Sequence, residues 1–352
     1  MKTGKIIRQG FFSFSFFLLT AFLVFIPVIV AAGTDTGRTV TDMTGRRVVI
    51  KGPVNRIITT FKPASLCVLS LGLAQKLVGV DNSSRQDRLQ LEVFPEISNL
   101  EGVGTKTTGI NFETLVNLRP DLVILYSQKE GLLLADRLDA MKIPSIVILP
   151  ESFASIKESL RLIAGAEGET KRLPNVELLM DEVIEFVAMR LSGISEEDKK
   201  TGYFASALGL FSTATGNMIA NEIFEKAGIK NVSAHLTGYF QEISPEQLVK
   251  WNPDIMVLSQ HLKKGEAERV FNKALQEISA IKNKAVYRCP SSLAPWDFPS
   301  PLTVLATLWI SQKAYPERFS DIEIKDRADD FHKKLFEKTM TQMGGTLSDG
   351  IE

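Results

Sequence analysis

The sequence predicts an α/β protein of two similar three-layer lobes with mostly parallel sheets, joined by one long linking helix, with a cleft between the lobes. Three observations predict this fold: β-branched runs that alternate with helical patterns, one helix–strand unit that occurs twice, and a long helical pattern between the halves. The 352 residues are 44% hydrophobic and 23% charged. This composition is typical of globular proteins, and the length suggests about two domains.

The first half of the chain alternates strands and helices. Short apolar runs separated by helical patterns indicate parallel strands that are covered on both faces. We predict strands at 56–61, 76–81, 121–127 and 145–150, and helices at 64–73 and 131–141. Ahead of them, residues 39–50 predict a hairpin with Gly45 in its turn.

The second half shows the same alternation. We predict strands at 201–208, 254–260 and 284–289, and helices at 217–227 and 302–314. Between the halves, apolar residues at helical spacing over 176–191 predict the linking helix. The predicted boundaries are a first lobe at 33–168, the linking helix at 169–197, a second lobe at 198–320, and a C-terminal helix and tail at 321–352 that pack on the second lobe.

One unit of sequence occurs in both halves. Residues 110–125 and 243–258 are identical at seven positions, at a constant offset of 133. Each copy reads as a short helix, a Pro-Asp stop and a buried strand, because Pro120 and Pro253 cannot continue a helix. The match favours duplication over chance recurrence of a common unit. Two similar lobes imply a cleft between them, where ligands bind.

The N-terminus has the pattern of an export signal. Lys2, Lys5 and Arg8 precede a nearly unbroken apolar run over 11–30, which ends in small residues. We predict cleavage after Ala32, so that residues 1–32 are a signal peptide, with an uncleaved anchor as the alternative. Of the 41 basic residues, 38 then remain against 41 acidic ones. This balance gives no indication of nucleic-acid binding.

The chain lacks the sequence motifs of common catalytic and metal sites. Gly-x-Ser-x-Gly, His-Glu-x-x-His and Cys-x-x-Cys do not occur. The three histidines, His235, His261 and His332, fall in different segments and are predicted to lie on the surface. Cys67 and Cys289 are predicted to be buried free thiols, with a disulfide as the alternative. We predict no enzymatic activity and no metal site.

These features together resemble the substrate-binding proteins of ABC importers for ferric siderophores, haem and cobalamin. The resemblance spans about residues 39–318 and is carried by 56–61, 76–80, 110–125, 217–232, 243–258 and 296–301. It implies a periplasmic monomer with a rigid linking helix, no covalently bound cofactor, and an ABC permease dimer of the inner membrane as partner. A ferric siderophore is the first expectation for the ligand. The alternatives are a corrinoid, haem bound through Tyr126 or Tyr239, or a ligand-sensing subunit of the same fold.

The resemblance also implies a surface glutamate on each lobe that docks on the permease. The matching positions are Glu113 and Glu246, at the same place in the two copies of the repeat. Carboxylates arranged in this way suit a two-fold symmetric partner. The alternative is that each glutamate only stabilises the first turn of its own helix.

In this family the ligand contacts come from loops at the strand ends that face the cleft. By position, the candidate residues are Phe61, Lys62, Arg85, Lys106, Tyr126, Phe211, Tyr239, Trp296 and Phe298. Their aromatic rings and cations suit a large, partly aromatic, anionic chelate. For each aromatic residue, a place in the core is the alternative. Trp296 is the first choice, since the flanking Pro295 and Pro299 mark an irregular loop, and the cluster at 104–108 is the second.

Overall fold

The structure is a computed structural model that describes Met1 and residues 37–105, 109–127, 129–168, 170–348 and 350. Apart from Met1, the predicted signal peptide lies outside these residues. Within the described part of the chain, no helix combines the length and apolar character needed to cross a membrane.

The first lobe contains a hairpin, a parallel sheet and the helices that cover it. Its elements are β1 (Arg38–Thr41), β2 (Arg47–Ile50), β3 (Ile57–Thr59), α1 (Lys62–Ser70), β4 (Leu77–Val80), α2 (Arg88–Val93), β5 (Glu101–Gly102), β6 (Gly104–Thr105), β7 (Gly109–Ile110), α3 (Phe112–Asn117), β8 (Leu122–Tyr126), α4 (Lys129–Ala140), β9 (Ser145–Ile148) and α5 (Phe153–Glu167). β1 and β2 pair antiparallel around Gly45, whose φ of 83° suits glycine.

The sheet of the first lobe has the strand order β5-β4-β3-β8-β9, and these pairs are parallel. Successive residues of its strands enter different cores. Ile57 and Ile124 pack with α1 and α5, whereas Ile58 and Val123 pack with α3 and α4. Because side chains alternate across a strand, a sheet whose two faces are both buried needs helices on both sides. The lobe is therefore three-layered.

The second lobe follows the linking helix α6 (Leu173–Arg190). Its elements are β10 (Thr201–Ala205), β11 (Ser212–Thr213), α7 (Ile219–Lys226), β12 (Lys230–Asn231), β13 (Gln241–Glu242), α8 (Pro245–Trp251), β14 (Ile255–Leu258), α9 (Lys264–Ala267), α10 (Ser279–Lys282), β15 (Val286–Arg288), α11 (Val304–Ala314) and α12 (Ile324–Phe336). The strand order is β13-β11-β10-β14-β15, with β12 also on β10. β10, β12, β14 and β15 are parallel, and β11 and β13 run antiparallel.

The same alternation makes the second lobe three-layered. Phe204 and Val257 face the core that contains α7 and α11, whereas Tyr203 and Met256 face a separate core with α8. The predicted fold of two three-layer lobes is thus confirmed. The predicted strands and helices are all present, most of them shorter by one to three residues at an end. The sequence patterns did not indicate α2, α5, α9 and α10.

The linking helix joins the lobes through a shared core. Val176, Met180, Val183 and Val187 of α6 are buried in a hydrophobic cluster that includes residues of both lobes. Pro174 lies in the first turn of α6, where its missing N–H costs no helical hydrogen bond. A continuous core on a long helix opposes hinge motion between the lobes.

The C-terminal segment packs more widely than predicted. α12 contacts α6 and α11, and the tail beyond it also reaches the first lobe. Lys338 Nζ donates to the carbonyl oxygen of Glu92 at 2.7 Å, and Arg88 donates to the carbonyl oxygens of Ser292 at 3.0 Å and Gly344 at 3.2 Å. The segment therefore ties the second lobe to the first. Cys67 and Cys289 are buried free thiols, as predicted.

Candidate ligand-binding cleft

A cleft of about 520 Å³ lies between the two lobes. The carboxyl ends of parallel strands open into it, as is usual for α/β proteins. Thr60 and Phe61 follow β3, Tyr126 ends β8, and Glu151 follows β9. From the second lobe, the lining includes Ala207 after β10, Ser259 and His261 after β14, and Phe298 on the loop after β15.

Aromatic side chains from both lobes form one wall of the cleft. The rings of Phe61 and Tyr126 lie with their centroids 4.8 Å apart at 47°. The Tyr126 hydroxyl donates to Glu151 Oε1, and Tyr239 of the second lobe also hydrogen-bonds to Tyr126. Burial, followed by the Glu151 charge, raises the pKa of Tyr126 well above its ordinary value, so the phenol keeps its proton. This wall connects the lobes directly.

Lys62 brings a positive charge to the cleft, and this charge is already paired with a carboxylate. Phe61 is the N-cap of α1 and Lys62 is its first residue, so the amino end of α1 lies at the cleft. Lys62 Nζ lies 3.0 Å from Asp87 Oδ2 and 5.6 Å from the ring centroid of Phe298. The side chains of Lys62 and Asp87 are only 16% and 6% exposed, so the ion pair is held inside the protein.

The remaining ionisable groups of the described lining are mostly acidic. Asp297 has a buried carboxyl group whose Oδ2 accepts from the Gln260 N–H at 3.3 Å, and burial raises its pKa. Asp81 accepts hydrogen bonds from Ser83 and Ser84 and is 2% exposed. Among the described residues, no cluster of three or more His, Cys, Asp or Glu could hold a bare metal ion.

Five of the nine residues predicted to contact the ligand line the cleft: Phe61, Lys62, Tyr126, Tyr239 and Phe298. Two others lie outside the lining. Arg85 donates to the carbonyl oxygen of Ser98 at 3.0 Å, and Phe211 packs under Arg269, whose Cζ is 4.6 Å from its ring centroid. Lys106 lies outside the described residues.

The prediction for Trp296 is wrong. Its side chain is 0% exposed and belongs to the core cluster shared by the lobes. The backbone N–H of Trp296 donates to the carbonyl oxygen of Pro290 at 2.8 Å, which folds the loop back on itself. The flanking prolines do mark an irregular loop, but such a loop can also fill the core with its largest side chain.

The structure also adds residues that the sequence analysis did not select. Glu151 and His261 line the cleft immediately after the predicted strands 145–150 and 254–260. Tyr126 was selected by the strand-end rule, which takes the residues at the strand ends that face the cleft. The same rule applies to Glu151 and His261 and could have found them. His235 and His261 are exposed as predicted, but His332 is fully buried on the apolar face of α12, so the prediction that it lies on the surface is wrong.

The two predicted docking glutamates occupy matching places. Glu113 and Glu246 are exposed, and each lies in the first turn of a short helix. Asn111 and Ser244 cap these helices by accepting the N–H groups of Thr114 and Gln247, each at 3.1 Å. Hydrogen bonds from its own backbone N–H and from Ser244 lower the pKa of Glu246, which keeps the carboxylate charged.

The family of the chain is shown by comparison with known proteins. The family model described as periplasmic binding protein matches residues 57–293, which is most of the chain. The chain therefore belongs to the periplasmic binding protein family. It is a solute-binding protein of an ABC transporter and not an enzyme, as the sequence predicted.

Individual relatives differ in the ligands that their names give. The molybdate-binding protein MolA of Haemophilus influenzae is 24% identical over 85% of this chain and 91% of its own length. A vitamin B12-binding protein of Vibrio parahaemolyticus is 22% identical over 74% of this chain and 89% of its own length.

Solved structures show the same fold. MolA bound to molybdate has a TM-score of 0.76 at 20% identity, covering 89% of this chain and all of that one. Helicobacter pylori CeuE in a complex with Ni-His has a TM-score of 0.74 at 23% identity, covering 88% of this chain and 98% of that one.

Proposed function

We propose that the chain is an exported, monomeric protein that captures a bulky metal chelate in the interlobe cleft and delivers it to an ABC permease in the inner membrane. A ferric siderophore is the first candidate. The observation that carries the proposal is the cleft itself: about 520 Å³, walled by Phe61, Tyr126, Tyr239 and Phe298 from both lobes. The proposal includes the signal peptide at 1–32 and the lobe boundaries given above.

The size of the cleft supports an organic chelate. Pockets of roughly 300–1,000 Å³ hold ligands of drug size. A tetrahedral oxyanion would occupy a small part of this space and would leave most of the aromatic surface without ligand contact. Ring faces at Phe61 and Phe298 offer stacking surfaces for catechol, hydroxamate or macrocyclic groups.

The charges of the cleft favour a chelate of low net charge. The charge of Lys62 is balanced by its ion pair with Asp87, and Arg85 lies outside the lining. The lining also contains the acidic residues Asp81, Glu151 and Asp297. A trianionic chelate would therefore meet little compensating charge among the described residues. A neutral corrinoid is the second candidate for the same reason, and one relative is named for vitamin B12. Haem through Tyr126 is disfavoured, because the phenol is held protonated by burial and Glu151.

The proposal is tested by calorimetric titration of the mature protein with ferrioxamine B, ferric enterobactin, cyanocobalamin, haemin and sodium molybdate. We expect micromolar or tighter binding of ferrioxamine B or cyanocobalamin, and weaker binding of ferric enterobactin. Tyr239→Ala and Phe298→Ala should each weaken that ligand about tenfold, which corresponds to ~1.4 kcal/mol. Phe271→Ala is the matched control, because Phe271 is 65% exposed on the second lobe outside the cleft lining.

Binding of molybdate alone, or of none of the five compounds, would overturn the chelate proposal. Equal affinities for Tyr239→Ala, Phe298→Ala and Phe271→Ala would show that the ligand lies elsewhere. Neither result would alter the family to which the chain belongs.

A further inference from the structure

A second space of about 520 Å³ lies in the first lobe beside the interlobe cleft. Its walls come from α4 and from β7, and they include Ile110, Leu133, Leu134 and Arg137. Thr60, Phe61 and Tyr126 line both this side pocket and the cleft. The side pocket therefore adjoins the cleft across these three residues.

The described walls of the side pocket are apolar, with charged groups of both signs. Leu134 is 7% exposed, whereas Leu133 presents an apolar side chain that is 59% exposed within the concave surface. The Arg137 guanidinium carbon lies 3.7 Å from the ring centroid of Phe112, which holds the charge in place. Glu130 adds one carboxylate. The apolar walls suit an apolar or aromatic group, and Arg137 can pair with one acidic group at its end.

A glycine in the first turn of α4 brings this helix close to the interlobe cleft. A Cβ atom on Gly131 would lie 1.9 Å from the carbonyl oxygen of Tyr126, so no other residue fits there without movement of the backbone. Gly131 thus lets the first turn of α4 lie against the end of β8. The next turns of α4 then present Leu133 and Arg137 to the side pocket.

The second lobe packs differently in the segment that follows its own matching strand. After β14, the short helix α9 and the turn behind it collapse onto the lobe, with Ala267 and Val270 0% and 1% exposed. Glu266 fixes this arrangement by accepting the Leu210 N–H at 3.1 Å. The two lobes thus differ in the segment after the matching strand, and the side pocket is formed by α4 and not by the repeated unit alone.

We propose that the side pocket is a subsite that receives an apolar or aromatic arm of the bound chelate, with an acidic group of that arm directed to Arg137. This inference rests on the proposed function, because it needs a chelate in the cleft. It adds to the substrate class: the ligand is a chelate with a singly anionic, largely apolar extension, and not a compact one.

The subsite is tested with 1-anilinonaphthalene-8-sulfonate, an aromatic compound with one sulfonate that needs no knowledge of the natural ligand. Fluorescence titration of the mature protein should show saturable micromolar binding. Leu133→Asp should weaken it at least tenfold, and Arg137→Gln should weaken it threefold to tenfold. Leu132→Asp is the matched control, because Leu132 precedes Leu133 on α4 but does not line the side pocket, and its affinity should stay within twofold.

Absence of saturable binding to the unmodified protein, or equal affinities for Leu133→Asp and Leu132→Asp, would overturn the subsite. These outcomes do not depend on the chelate panel, so failure of the subsite and failure of the chelate proposal can be told apart. Where the panel gives a ligand that carries an acidic, largely apolar arm, Leu133→Asp should weaken that ligand more than Leu132→Asp does. An unchanged affinity would show that the arm lies elsewhere.

Discussion

Single side chains at the cleft are held by partners distant in sequence. Tyr126 donates to Glu151 and also hydrogen-bonds to Tyr239 of the other lobe, while Lys62 is paired with Asp87. Each contact holds the side chain in one rotamer before a ligand arrives. Less side-chain entropy is therefore lost when the ligand binds. The aromatic wall is therefore largely formed before binding.

His332 gives the clearest prediction at the residue scale. Its side chain is fully buried, and its Nδ1 lies 2.7 Å from the carbonyl oxygen of Ala328. Burial lowers the pKa of His332 to about 4, against the smaller opposite effects of that contact and of Asp329. The neutral form is thus favoured in the folded state. The stabilisation that neutral His332 contributes is fully present above about pH 6.5 and is lost as the pH falls towards 4.

The expected size of this loss is about 3 kcal/mol, from roughly 1.4 kcal/mol per pKa unit. Urea unfolding between pH 7 and pH 4 measures it. His332→Leu should reduce the decrease in the free energy of unfolding by about that amount, because the titrating group is gone. His235→Leu, at an exposed histidine, should leave the decrease unchanged. A His332→Leu profile parallel to that of the unmodified protein would contradict the assignment.

At the scale of elements, the repeat keeps its backbone conformation as well as its sequence. Arg119 and Asn252 lie at the same offset and end their helices with φ values of 45° and 46°. A left-handed residue at this position stops a helix and turns the chain into the following strand. Asn111 and Ser244, also at that offset, cap the starts. The duplication therefore includes the residue that caps the helix, the left-handed residue that ends it and the strand that follows.

The shared Pro-Asp pair has a structural role. Asp121 Oδ2 accepts the N–H groups of Asn55 and Arg56, each at 2.9 Å, directly before β3. Asp254 Oδ2 accepts from the N–H and the hydroxyl of Thr201, each at 2.8 Å, at the start of β10. In both lobes, the aspartate thus fixes the entry of the first strand of the sheet.

Replacement of either aspartate should destabilise its lobe by a similar amount. Asp121→Ala and Asp254→Ala each remove hydrogen bonds to a charged acceptor, so each should lower the free energy of unfolding by about 1–3 kcal/mol. The effects should add in the double variant, because the sites lie in different lobes. Urea unfolding measures them, with Asp136→Ala on the exposed surface of α4 as a control within about 0.5 kcal/mol. Losses in the free energy of unfolding no larger than that of the control would contradict the structural role of the two aspartates.

At the scale of the whole molecule, the lobes are joined by more than one connection. The core cluster on α6 contains residues of both lobes, and the C-terminal tail bonds to the first lobe through Lys338 and Arg88. These connections oppose a change in the separation of the two lobes. A partner that contacts both lobes can therefore recognise their spacing, with Glu113 and Glu246 as the proposed contacts.

The double variant Glu113→Gln, Glu246→Gln tests this docking. It should reduce uptake of the transported chelate by cells at least tenfold, because two charged contacts with the permease are lost, while calorimetry shows unchanged affinity for the ligand. The control is Glu96→Gln, Glu317→Gln. These exposed glutamates lie one on each lobe, each after the proline that starts a short helix, as Glu246 does. Normal uptake by the first double variant would refute docking through these residues and would favour a sensing subunit.

The sequence by itself determined the α/β class, the two lobes, the linking helix and the family. The class, the lobes and the linking helix follow from the spacing of apolar residues and from a repeated unit, both of which can be recognised within short stretches of the chain. The family follows from a resemblance to known binding proteins. The strand-end rule also located five of the cleft residues. Only the tertiary structure decided that Trp296 lies in the core, that Lys62 is neutralised by Asp87, and that α4 leaves an open side pocket. Those outcomes depend on how loops fold back and which distant charges meet, and no local pattern encodes them.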